Sequence, residues 1–137
     1  MTEDQKRVVE VLDEGYRREV AQSAFYRALL EAARRAGDES EAHRLEGLVA
    51  DEERHLMRLG ARLRELGEDP PELPDATPEV RLRGWVSEAR AREAGEVAFY
   101  KAVLARRLDS DTRELLQEIL HVERSHREAL GRRWMPV

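Results

Sequence analysis

Two stretches of this chain repeat one another. Residues 19–26 read EVAQSAFY and residues 93–100 read EAGEVAFY, so Glu19 and Glu93 are each followed seven residues later by a tyrosine, Tyr26 and Tyr100. Each stretch is then followed by a Glu-x-x-His: Glu52 with His55, and Glu123 with His126. The copies are offset by 74 residues at the Glu/Tyr pair and by 71 at the Glu/His pair, a mismatch that one connecting turn accounts for. Two helical hairpins, each with one Glu and one Glu-x-x-His, are what a two-metal carboxylate site in a four-helix bundle requires.

Punctuation divides the chain accordingly. Four of the five prolines lie between Pro70 and Pro78, and the stretch GEDPPELPDATP is the one strong break. Gly37-Asp38 interrupts the first half, with Gly37 suited to end a helix, Asp38 to cap the next and Glu41 to complete a capping box. Thr77-Pro78 reads as the cap and first turn of a third helix, and Asp109-Ser110-Asp111 as the cap of a fourth. The expected helices are 3–36, 38–66, 78–108 and 110–133. They form one domain over 1–137, with hairpins at 3–66 and 78–133 and a linker at 67–77.

Composition removes several classes of function. The 137 residues hold no cysteine, which excludes a disulfide, an Fe–S cluster, rubredoxin-type iron and thiol catalysis. A net charge of -5 argues against a nucleic-acid or anionic-membrane partner. No apolar run approaches the roughly 20 residues needed to span a bilayer. The polar start MTEDQKR does not resemble a signal peptide, so a cytoplasmic location is the expectation.

The helical faces place the acidic residues. Leu45, Leu48, Leu56, Leu59, Leu63 and Leu66 form the apolar stripe of helix two, and Glu52 and His55 fall inside it. Glu123 and His126 interrupt the stripe of Leu116, Ile119 and Leu130. Glu19 and Tyr26 lie among Val8, Leu12 and Leu30, and Glu93 and Tyr100 among Leu82, Val86, Val97 and Leu104. Each helix thus aims a carboxylate at the core near its middle. Burying one unpaired carboxylate costs several kcal/mol, so four demand compensation, most simply by divalent cations. A third Glu-x-x-His, Glu118 with His121, shares a polar face with Glu114, Ser125, Glu128 and Arg132 and reads as solvated surface. His43 reads the same way.

The order Glu, Glu-x-x-His, Glu-x-x-Glu, Glu-x-x-His resembles the ferritin-like di-iron domain of the rubrerythrins over nearly the whole chain. The discriminating element is Glu93-x-x-Glu96. Ordinary ferritin-like sites have one carboxylate there, whereas rubrerythrins have two; the matching position in the first copy is Gln22. The resemblance implies an all-α, ferritin-like four-helix bundle holding two iron ions, with manganese or a mixed pair as the alternatives. By the same resemblance Glu52 and Glu123 bridge the metals, Glu19 and His55 complete one iron's ligands, and Glu93 and His126 complete the other's. Glu96 is then an extra ligand that binds or releases as the iron changes oxidation state, and Tyr26 and Tyr100 hydrogen-bond the carboxylates. Five carboxylates and two imidazoles make an oxygen-rich donor set that suits iron or manganese better than zinc.

The implied chemistry is reduction of hydrogen peroxide to water by a diferrous site, with O2 as the alternative oxidant. The family's usual electron donor, a rubredoxin-like domain, needs cysteines, so a separate electron-transfer protein is expected here. Three other readings stay open: iron oxidation and storage, an oxygenase acting on an organic or RNA substrate, and a metal-free helical interaction module. Linker length adds an expectation about assembly. In such a bundle helices two and three run parallel, and the expected helix ends lie on the order of 40 Å apart. Residues 67–77 reach at most about 36–40 Å when fully extended. That near-mismatch favours a homodimer in which hairpins are exchanged between chains.

Overall fold

The computed structural model describes residues 1–132, which form α1 (Glu3–Arg35), α2 (Glu39–Glu65), α3 (Trp85–Leu104) and α4 (Ser110–Arg132), with no strand among the described residues. The expected end of helix four and of the second hairpin, at 133, lies outside them. Local chemistry sets most helix ends. The Thr2 hydroxyl accepts from the Gln5 amide at 3.1 Å while the Gln5 side chain accepts from the Thr2 amide at 2.9 Å, a complete capping box. Gly37 takes φ 70°, and the Asp38 amide turns back to the Ala33 carbonyl at 3.0 Å, so α1 ends in a left-handed turn. Asp38 then caps α2 by accepting from the Glu41 amide, and Asp109 caps α4 by accepting from the Thr112 amide at 3.0 Å.

Two apolar clusters fill the bundle and fix the helix directions. One joins Phe25 to Ala33 of α1, Ala42 to Val49 of α2, Trp85 to Ala89 of α3 and Leu130 of α4. The other joins Val8 to Leu12, Leu59 and Leu63, Val97 to Val103 and Leu115 to Leu120. The late part of α1 therefore meets the early part of α2, so those helices are antiparallel, as are α3 and α4. The early parts of α2 and α3 share a cluster, so these two run parallel and the linker traverses the bundle. Between the clusters lies a buried polar layer, to which all four helices contribute.

Helix α3 differs from the sequence expectation at both ends. It stops at Leu104 rather than at 108, and the Arg113 guanidinium donates to the Leu104 and Arg106 carbonyls there. Helix α3 begins at Trp85, not at Pro78, and Gly84 precedes it with φ 76° and no side-chain cap. Residues 78–84 pack as an irregular strap instead. Val80 and Leu82 lean on the first apolar cluster, while Glu79, Arg81 and Arg83 stay exposed. That alternation suits extended chain rather than helix. Trp85 is anchored by donating its indole N–H to Glu41 at 3.0 Å, with the Arg44 guanidinium over its ring. Leu82 therefore belongs to the linker, not to the helix stripe.

The later start of α3 changes the linker arithmetic. The connection from Leu66 to Gly84 can reach well over 50 Å at about 3.3 Å per residue. The helical arms it must pass, from His55 to Glu65 and from Trp85 to Glu93, total only about 27 Å. A crossover within one chain is comfortable, and the length argument for exchanging hairpins falls away. Indeed one chain packs α1 against α3 and α2 against α4.

Candidate metal centre

The polar layer assembles the residues that the repeat singles out. Glu19, Glu52, Glu93 and Glu123 are each 0% exposed, with His55, His126 and Glu96 also buried. They form two overlapping quartets, Glu19-Glu52-His55-Glu123 and Glu52-Glu93-Glu123-His126, in each of which one ligand atom per residue lies within 4.8 Å of the others. The imidazole Nδ1 of His55 faces Glu123 at 3.3 Å, Glu19 at 3.7 Å and Glu52 at 4.0 Å. That of His126 faces Glu52 at 3.3 Å, Glu93 at 3.4 Å and Glu123 at 3.7 Å. Glu52 and Glu123 are common to both sets.

Hydrogen bonds across the bundle hold this arrangement. The Tyr26 hydroxyl donates to Glu93 at 2.6 Å and the Tyr100 hydroxyl to Glu19 at 2.7 Å, so each hairpin's tyrosine braces the other hairpin's glutamate. Gln22 donates a second bond to Glu93 at 3.2 Å. Asp51 lies 2.8 Å from His126 Nε2, which turns Nδ1 toward the carboxylates. Sequence reading passed over Asp51, although it stands beside Glu52; the equivalent position in the second copy is Val122. It also passed over Arg18, whose guanidinium donates to Glu96 at 3.0 Å.

Glu96 therefore stands apart from the other six. It belongs to neither quartet, one oxygen being held by Arg18 and the other buried without a partner. His43, Glu118 and His121 are exposed as expected, and Glu118 pairs with Arg58 on the surface.

The donors fit metal ions on electrostatic grounds. Among the described residues, the buried side-chain oxygens and nitrogens with no hydrogen-bond partner all belong to Glu19, Glu52, His55, Glu93, Glu96, Glu123 and His126. Buried polar atoms are ordinarily paired, so a concentration of unpaired lone pairs in one layer is the mark of a cation site. Proton affinities agree. Burial, reinforced by the neighbouring carboxylates, raises Glu52 and Glu123 well above the usual carboxylate range. Burial opposes ionisation of Glu19 and Glu93 as well but is outweighed, for Glu19 by Glu52, His55 and Tyr100 and for Glu93 by His126, Glu123 and Tyr26; both end below the ordinary value. Burial would lower His126, yet Glu93, Glu123 and Asp51 bring it to about 9. Burial and the adjacent Glu19 raise Glu96 to about 7, with Arg18 offsetting part of the rise. Without a cation, protons take over part of the task of neutralising the layer.

An antiparallel pair of helical hairpins enclosing a layer of four glutamates and two histidines is the architecture of the ferritin-like di-metal carboxylate proteins. The chain belongs to the rubrerythrin family, whose model matches residues 10–133. Its fold is similar to that of a ferritin-like, diiron-carboxylate protein from Bacillus anthracis str. Ames, known from a crystal structure. The TM-score is 0.78 at 22% identity, over 96% of this chain and 98% of that one. At that identity the likeness speaks for the fold. No curated protein matches the sequence at a significant level. No helix among the described residues is long and apolar enough to cross a membrane.

Proposed function

We propose that this protein reduces hydrogen peroxide to water at a pair of iron ions held by Glu19, Glu52, His55, Glu93, Glu123 and His126. The observation that carries the reading is the pair of quartets sharing Glu52 and Glu123, with their lone pairs buried and unpartnered. The shared carboxylates are suited to bridge, while Glu19 with His55 and Glu93 with His126 complete one set each. Reduced iron held by these residues would supply the two electrons for reducing the O–O bond, with two protons completing two waters. The protein's part is to keep the donors in place. Burial and the nearby carboxylates hold the Tyr26 and Tyr100 hydroxyls protonated, so they remain donors to Glu93 and Glu19. The apolar clusters on either side limit access of bulk water to the layer.

Glu96 favours peroxide reduction over simple iron storage, because it offers a further carboxylate next to a set of six that is already complete. With no cysteine in these 137 residues, the electrons are proposed to come from a separate electron-transfer protein. Anaerobic protein loaded with Fe(II) and mixed with peroxide or with O2 in a stopped-flow spectrometer provides the test. Peroxide should oxidise the iron faster than O2 does, and Glu96→Gln should slow the peroxide reaction more than the O2 reaction. Equal rates with the two oxidants, or a Glu96→Gln variant with unchanged peroxide kinetics, would overturn the proposal.

A further inference from the structure

Arg18 is the one arginine or lysine that bonds directly to a carboxylate of the buried group among the described residues. Its guanidinium carbon lies 4.4 Å from the centre of the Phe99 ring, and Nη1 donates to Glu96 at 3.0 Å. Glu96 sits on α3 one turn after Glu93 and one turn before Tyr100, whose hydroxyl holds Glu19. The carboxylate is thus beside the metal centre on the same helical face, yet turned toward Arg18.

The internal repeat supplies a comparison within the same molecule. Arg92 occupies the equivalent position on α3 and stacks on Phe25, the equivalent of Phe99, at 4.1 Å. Each arginine also has a glutamate one turn earlier on its own helix, Glu14 for Arg18 and Glu88 for Arg92, at 3.8 and 3.7 Å. Stacking and the local ion pair are therefore common to both halves. The difference is the residue each arginine could meet across the bundle. Opposite Arg18 it is Glu96; in the other half it is Gln22, a neutral amide already bonded to Glu93. The cross-bundle ion pair exists only where that position is acidic.

We propose that Arg18 is a positioning residue that parks Glu96 away from the metal centre, so that Glu96 joins as a seventh ligand only when the charge of the metals outcompetes the guanidinium. The inference rests on the reading of the two quartets as metal ligands. Phe99 presets the guanidinium plane, and a planar fork held on a ring gives up little further freedom in gripping a carboxylate. Glu96 keeps its second oxygen free of partners, so only the Arg18 bond has to break for the side chain to move inward.

The test uses Co(II) as the probe, titrated into metal-free protein and followed by its visible bands, which weaken as coordination number rises. Four proteins are compared: the natural sequence, Arg18→Ala, Glu96→Gln and the double variant. Arg18→Ala should tighten Co(II) binding about tenfold, the order expected for releasing one partly exposed charged hydrogen bond, and should weaken the bands. In the Glu96→Gln background the same substitution should change neither. An equal gain in both backgrounds would mean that Arg18 acts only as a nearby positive charge, and would overturn the proposal; so would no gain in either. Natural-sequence protein that takes up two Co(II) ions but, loaded with iron, fails to reduce peroxide would sink the proposed reaction while leaving the Arg18 inference standing.

Discussion

At the scale of single residues, the sharing of ligands makes unequal predictions for chemically equal side chains. Glu52 and Glu123 belong to both quartets, so replacing either with Ala should abolish binding of both metals. Glu19→Ala and Glu93→Ala each damage one quartet and should leave about one ion per chain, as read by metal analysis after dialysis. Two ions retained in Glu52→Ala would refute the bridging assignment. Proton affinities set the pH dependence. Glu52, Glu123 and His126 all have raised proton affinities in the metal-free chain, so a cation has to compete with protons for them. Metal binding should therefore release protons and strengthen as pH rises from 6 to 8, measurable by calorimetry in buffers of different ionisation enthalpy. Uptake of protons on binding would contradict this. The six quartet residues were legible in the sequence because a duplicated motif tests itself: each Glu and His has a counterpart in the other copy, 74 or 71 residues away. Asp51 and Arg18 escaped for opposite reasons. Asp51 has no acidic counterpart in the second copy. Arg18 has one in Arg92, but an arginine on a helix ordinarily reads as solvated surface, and its partner Glu96 lies across the bundle rather than along the chain.

At the scale of the helices, the best-determined junction is the start of α4. Asp109 accepts from the Thr112 amide and from Arg62 of α2 at 2.7 Å, while Arg62 also donates to the Thr112 hydroxyl at 3.1 Å. Burial opposes ionisation of Asp109 more than any other single influence, but Thr112 and Arg62 together outweigh it and lower its proton affinity. Such a depressed carboxyl contributes stability above its unfolded-state value and loses it as pH falls through the folded one. Asp109→Ala should thus cost about 1 kcal/mol near pH 7. The difference from the natural chain should shrink below about pH 4, as seen in urea unfolding at several pH values. A pH-independent difference would show that the ionised carboxylate is not what matters. Helices α1 and α2 could be read to within a residue at both ends from their caps, as could the start of α4. The start of α3 could not, because Thr77-Pro78 is a good helix opening by local chemistry and tertiary packing overrides it. Val80 and Leu82 gain more by leaning on the first apolar cluster, and Gly84, with its positive φ, was the signal that the helix starts later.

At the scale of the whole molecule, the two hairpins of one chain suffice to assemble the site, and we propose that they do so without exchange. A Glu19→Ala chain mixed with a Glu93→Ala chain, unfolded and refolded together, should recover no undamaged centre. Recovery of complete two-ion centres at about a quarter of the theoretical number would instead require exchanged hairpins. Homodimer formation without exchange is our proposal for assembly, and native mass measurement checks it. Removing the metals should lower the melting temperature, since ligands that bind only the folded chain stabilise it by mass action. The four helices should nonetheless remain, because the two apolar clusters flank the metal layer without depending on it.

The crossed tyrosines carry a consequence for heredity. Because Tyr26 reaches Glu93 and Tyr100 reaches Glu19, a lone hairpin is half a tool, complete only against another of its kind. Two identical hairpins would satisfy that need, but every residue would then occur twice, and a change at one position would alter both sides at once. Joining them in one polypeptide releases each half to mutate by itself. Glu96 standing where the first copy has Gln22, and Asp51 where the second has Val122, are differences that two identical hairpins cannot encode, and through them a centre of two like halves acquires two unlike sides.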